Sequence, residues 1–89
     1  MEYVYAVMKH EIWDGENWNE NYGSFRSPED AKVELKRVRD CVYPSWENET
    51  IDQDNENGFY AFRDGRYDEY HINLYILKMI LWEPKELKV

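Results

Sequence analysis

The chain has 89 residues, 43% hydrophobic and 17% aromatic, which is enough apolar area for one folded domain over 1–89 and too little length for two. Eleven Lys and Arg stand against nineteen Asp and Glu, a formal net charge of -8; this disfavours direct binding to nucleic acid or to an anionic membrane. Cys41 is the single cysteine and has no internal disulfide partner, Met1-Glu2-Tyr3-Val4-Tyr5 lacks the pattern of a secretory signal, and no apolar run approaches the roughly 20 residues of a membrane span, so a cytoplasmic protein is expected.

Residues Glu2 to Trp13 put Tyr3, Tyr5 and Val7 on one face and Val4, Ala6 and Met8 on the other, the signature of a strand that is apolar on both sides. Asp14-Gly15 then opens an Asn- and Glu-rich stretch that reads as a loop to about Asn21, and Tyr22 to Arg26 reads as a short second strand. The pair is expected to form an antiparallel hairpin with Trp13 and Trp18 near its tip. Ser27-Pro28-Glu29-Asp30 supplies an N-cap, a proline suited to the first helical position and two acids at the positive end of the helix dipole. Ala31, Leu35, Val38 and Val42 follow on one helical face, and Pro44 ends the helix at about Val42 or Tyr43.

Ser45 to Asn57 holds five acids and no Lys or Arg, and reads as a long surface loop. Phe59 to Arg63 forms a third strand, Asp64-Gly65 a two-residue hairpin turn, and Tyr67 to Trp82 a long fourth strand with a bulge or bend near Asn73 or Lys78. Pro84 closes the structured part. The order strand-strand-helix-strand-strand predicts an α+β domain: a four-stranded antiparallel sheet with one helix packed on one face.

Catalytic chemistry has little to work with. Cys41, in the last helical turn, reads as a small packing residue. His10 and His71 are the only histidines; they would approach each other if the first and last strands are neighbours, and a small enzyme or ligand-binding domain built on them is the alternative reading. Counted from Asp52, the EF-hand spacing fails, with glycine seventh and Arg63 twelfth. The four glycines are isolated, so no phosphate loop is present. No enzyme, no cofactor and no metal is expected.

The acids are clustered. Residues 10–25 and 44–58 together hold nine of them and no Lys or Arg, while the helical segment balances four acids against four bases. Tryptophans lie among the clustered acids. Asp14, Glu16, Trp18, Glu20, Trp46, Glu47, Glu49, Asp52, Asp54 and Glu56 are therefore the expected partner-binding residues, presenting carboxylates to a basic groove of another protein, itself a nucleic-acid binder, with the aromatics as desolvated anchors. If the two segments open on opposite sides of the sheet, that surface loses its contiguity. Aromatic character on both sheet faces and the dense apolar stretch Leu74 to Trp82 also predict a homodimer, and a structural or regulatory homodimer is a further alternative reading of the chain's function.

The passage Tyr22-Gly23-Ser24-Phe25-Arg26-Ser27-Pro28-Glu29-Asp30-Ala31, a strand ending in Phe-x-Ser before a capped helix, resembles one found in small uncharacterised proteins of bacteria and their phages. In size and acidity the chain is also similar to phage-encoded inhibitors of host defence, anti-CRISPR proteins among them. That likeness implies a small acidic inhibitor of a nucleic-acid-binding defence protein, and it assigns no individual residue.

Overall fold

The computed structural model describes residues 2–63 and 69–81. In chain order the elements are β1 (Tyr3–Trp13), β2 (Glu16–Phe25), α1 (Pro28–Val42), a 3-10 turn (Tyr43–Ser45), β3 (Thr50–Asn55), β4 (Gly58–Arg63) and β5 (Tyr70–Ile80). The strands form one sheet in the order β2-β1-β5-β4-β3, with every neighbouring pair antiparallel. The α+β class with one helix is as expected, but the sheet has five strands and not four.

The additional strand is β3, inside the segment expected to be a long surface loop. Its sequence, TIDQDN, has one large apolar residue, Ile51, which lies opposite Ala61 and packs against the core. An edge strand needs no more than that, because its outer side faces water and acidic side chains discourage further pairing. The β3–β4 turn is fixed by the Asn55 side chain, whose Oδ1 accepts from the Asn57 and Gly58 N–H groups at 2.9 and 3.2 Å. Gly58 itself is required by close approach: a Cβ there would sit 2.7 Å from the Leu74 carbonyl oxygen of β5.

The first hairpin is also tighter than the sequence implies. Asp14 and Gly15 both have positive φ, 50° and 79°, as a two-residue turn matched to the twist of the strands requires. β2 therefore starts at Glu16, and Trp18 lies within it opposite Glu11 rather than at the tip. The expected bulge in the last strand is absent, since β5 pairs with β1 in continuous register from Tyr70 to Ile80. The Asp64-Gly65 turn and Pro84 lie outside the described residues.

The helix forms where its signals place it: Ser27 accepts the Asp30 N–H at 3.1 Å, Pro28 opens it, and Ala31, Leu35 and Val38 are buried. Pairing register sorts the sheet side chains beneath it, because neighbours across a ladder point to the same face. Val7 opposite Ile76, Phe59 opposite Leu74, and Ala61 opposite Ile72 all face α1 and build the core with Trp46. Full burial of Phe59, Ile72 and Leu74 stabilises the fold by about 2–3 kcal/mol each. The opposite face carries Met8, His10 and Ile12 from β1, His71, Tyr75, Leu77 and Met79 from β5, and Tyr60 and Phe62 from β4. No helix among the described residues covers it.

Candidate functional site

The ten expected partner-binding residues divide between the two edges of the sheet. Asp14, Glu16, Trp18 and Glu20 belong to the first turn and β2; Trp46, Glu47, Glu49, Asp52, Asp54 and Glu56 belong to β3 and its flanking turns. Strands β1, β5 and β4 stand between β2 and β3, a separation of about 19 Å at ~4.8 Å per strand step. The strand-borne acids therefore line two edges, and Glu16, Glu20 and Asp54, opposite Trp13, Lys9 and Phe59, point to the helix side; the turns that carry Asp14 and Glu47 come together at one end of the sheet, where Trp13 meets Trp46.

Four of these acids already hold cations. Glu20 meets Lys9 at 3.3 Å, Glu49 meets Arg63 at 3.1 Å, Glu56 meets Lys32 at 3.4 Å, and Asp54 takes both forks of Arg39. The two tryptophans also part company. Trp18 is 46% exposed, but Trp46 is 2% exposed and stacks edge-on against Trp13 at 5.8 Å, which in turn meets Tyr70 at 5.1 Å. Trp46, expected as an anchor for a partner, instead closes the core where the chain leaves α1, because the 3-10 turn swings its ring back over β1. Cys41 departs from expectation in the other direction, being exposed on α1.

Sequence reasoning missed a polar cluster on β1 and β2. Lys9 Nζ lies 3.1 Å from Glu11, 3.3 Å from Glu20 and 5.6 Å above the Tyr22 ring, and Trp13 Nε1–H donates to the other Glu11 oxygen at 2.8 Å. Burial alone would lower the Lys9 ammonium, but its contacts with Tyr22, Glu11 and Glu20 outweigh this and raise it above the ordinary lysine range. Tyr22 and Lys9 hold the Glu20 carboxyl below its ordinary value. The cluster ties β2 to β1. Only the register of the hairpin, which puts Glu20 opposite Lys9 and Trp18 opposite Glu11, reveals it.

The histidines do meet. His10 stands opposite Asn73 and His71 opposite Ile12, so the two are diagonal neighbours on the uncovered face. Each has its own partner: His10 Nε2–H donates to Asn17 Oδ1 at 2.9 Å, and His71 Nδ1 shares a hydrogen bond with the Tyr60 hydroxyl at 2.9 Å. Glu69 lies 3.8 Å from His71 Nε2. Among the described residues no group of three or more His, Cys, Asp or Glu is placed to hold a metal ion. Tyr60 and Phe62 continue this face, ring centroids 6.0 Å apart.

A cleft of about 470 Å³ runs between α1 and the β3–β4 hairpin, where Lys32, Lys36 and Arg39 face Asp54 and Glu56. Two of its cations are bonded across it, Lys32 to Glu56 and Arg39 to Asp54, so the charges clamp the hairpin to the helix. No helix of the described residues is long and apolar enough to cross a membrane. Comparison with protein-family models, curated proteins and solved structures finds no match.

Proposed function

We propose that this chain is a protein-binding module that receives its partner on the uncovered face of the sheet. The observation that carries this reading is the composition of that face. Met8, Ile12, Tyr60, Phe62 and Tyr75 stand half-buried along three adjacent strands with no helix over them, whereas α1 covers the other side. An apolar, aromatic centre flanked by polar side chains, here Asn17, Asn19 and Asn21 of β2, is the anatomy of a protein interface. Net charge supplies sign: Glu16, Glu20 and Asp54 lie on the helix side of the sheet by register, but a partner with cationic margins is steered toward a chain of net charge -8.

A nucleic-acid-binding protein has such cationic margins, and occupying them would block its natural ligand. Inhibition of a host defence protein is one activity of this kind. The acids act here through the net charge they give the chain, in place of a contiguous mimic of a phosphate chain.

The test is capture from a bacterial lysate by the wild-type protein and by two variants. Phe62→Ser with Tyr75→Ser alters the aromatic centre; Asp14→Asn, Glu16→Gln, Glu47→Gln and Asp52→Asn reduce the net charge while sparing the ion-paired acids. A partner retained by the wild type and lost by the centre variant, with weaker and less salt-sensitive retention by the charge variant, supports the reading. Equal retention by all three overturns it.

A further inference from the structure

β5 runs for eleven residues, but β4 reaches only to Gly58, opposite Tyr75. Below that point β5 keeps β1 on one side and has no described strand on the other. Leu81 donates its N–H to the Glu2 carbonyl oxygen at 2.9 Å, which fixes the alternation of the ladder. Odd-numbered residues at this end of β5 bond to β1, so Ile76, Lys78 and Ile80 direct their N–H and C=O groups to the open side. The side chains around this gap are among the most exposed apolar groups of the molecule: Leu77 at 43% and Met79 at 37% on the uncovered face, and Ile80 at 56% on the helix side. A lysine ordinarily guards such an edge. Here Lys78 Nζ lies 4.1 Å over the Tyr3 ring of β1, turned away from the gap.

We infer that this gap is filled by the same segment of a second copy of the chain, pairing antiparallel about a two-fold axis near Met79. Three observations select a second copy over another partner. An antiparallel edge is self-complementary, since each copy brings the same alternation of donors and acceptors. With the axis at Met79, Lys78 of one copy stands opposite Ile80 of the other, so no like charges oppose across the ladder. Lys78 is also the only charged residue between Ile76 and Ile80, and the acidic clusters Asp14 to Glu20 and Glu47 to Glu56 belong to β2, β3 and their flanking turns and not to β5. Pairing brings Leu77 and Met79 of both copies together on one side and joins the two five-stranded sheets into one of ten strands. Both helices then lie on the same side, and the two uncovered faces become continuous. The inference is independent of what binds those faces.

A contact of about five residues per copy is small, so the dimer is expected to form in the micromolar range or above. Sedimentation equilibrium from low micromolar to near-millimolar concentration, with amide hydrogen exchange at both ends, tests it. The expected result is a reversible monomer–dimer equilibrium in which the Lys78 and Ile80 amides gain protection as the dimer forms. Ile80→Pro removes one edge donor without removing a β1 ladder bond, and should weaken the dimer by ~10-fold or more while the chain remains folded by circular dichroism. A monomer at all concentrations overturns the inference. So does a dimer in which the Lys78 and Ile80 amides stay unprotected, or protection that is the same at both concentrations, which would mean that the chain's own C-terminal residues fill the gap.

Discussion

Arg39 of α1 donates from Nε and Nη2 to the two carboxylate oxygens of Asp54 in β3, and its guanidinium lies 4.1 Å above the Tyr43 ring. This planar, two-point contact fastens an edge strand with one apolar residue to the helix. Geometry of this kind is worth more than an ordinary surface ion pair. Arg39→Ala is expected to cost about 1–2 kcal/mol in urea unfolding and to raise amide exchange along Thr50–Asn55 first. Arg39→Lys should recover less than half, because an ammonium reproduces neither the fork nor the stacking. Unchanged stability in Arg39→Ala would show that β3 is held by its turn alone.

The same contact changes how charge should be removed from this protein. Neutralising Glu47, Glu49, Asp52 and Asp54 together is expected from sequence to leave the fold intact, since exposed carboxylates contribute little. Asp54 and Glu49 are bonded to Arg39 and Arg63, so Asp54→Asn alone should lower stability by about 1 kcal/mol. Glu47→Gln and Asp52→Asn should stay within about 0.5 kcal/mol of wild type. Thermal melts of the single variants separate the two groups.

Trp46 and Trp18 should respond oppositely to truncation. Trp46→Ala removes a ring that is 2% exposed and packed on Trp13, and should cost about 3–5 kcal/mol with loss of near-ultraviolet circular dichroism. Trp18→Ala should cost about 0.5 kcal/mol or less, because the ring is 46% exposed. Similar losses in both would place Trp18 in the core.

Two glycines make a second contrast. Gly58→Ala drives a Cβ into backbone, 2.7 Å from the Leu74 carbonyl oxygen, and should cost about 2 kcal/mol or more because the whole β4–β5 ladder has to move. Gly15→Ala meets no atom within 4 Å but must hold φ near 79°, for about 1–2 kcal/mol. A milder loss at Gly58 than at Gly15 would contradict the close approach of the two strands.

The Lys9 cluster predicts a particular response to acid. Tyr22 and Lys9 depress the Glu20 carboxyl from its ordinary value of 4.5. A depressed carboxyl contributes stability that is present above the ordinary value and is lost as pH falls through the lowered one. The raised Lys9 ammonium contributes stability that is present below its ordinary value of 10.5 and is lost only as pH rises through the raised one. Glu20→Gln should therefore flatten the fall in stability below about pH 4.5 and leave neutral pH nearly unchanged, by at most about 0.5 kcal/mol for so exposed a carboxylate. A steeper acid-side fall in the variant would contradict the assignment.

How far the sequence could be read depended on whether each signal was local. The helix was legible because Ser27, Pro28 and the spacing of Ala31, Leu35 and Val38 act within one segment. β3 was not, because Ile51 alone among its residues joins the core, and a strand on an edge needs no alternating pattern. The start of β2 was hidden for a similar reason: Glu16, Asn17 and Asn19 are poor strand formers, and their pairing with Trp13, Ile12 and His10 is enforced by β1. The position of the histidines followed from the sequence only conditionally. His10 and His71 become neighbours because β5 inserts between β1 and β4, a long-range choice that no local residue announces. The acidic segments were legible as composition, but their placement on opposite edges depended on the same strand order.

The account's central claim is that the uncovered sheet face is the binding surface. Its most direct test is the backbone and side-chain resonance map of the protein, recorded free and bound to the partner that it captures. The account predicts that perturbations concentrate at Met8, Ile12, Tyr60, Phe62 and Tyr75, while the outer face of α1 around Val33 and Arg37 is unchanged. Perturbations confined to α1, or to one acidic edge with the aromatic centre silent, would contradict it.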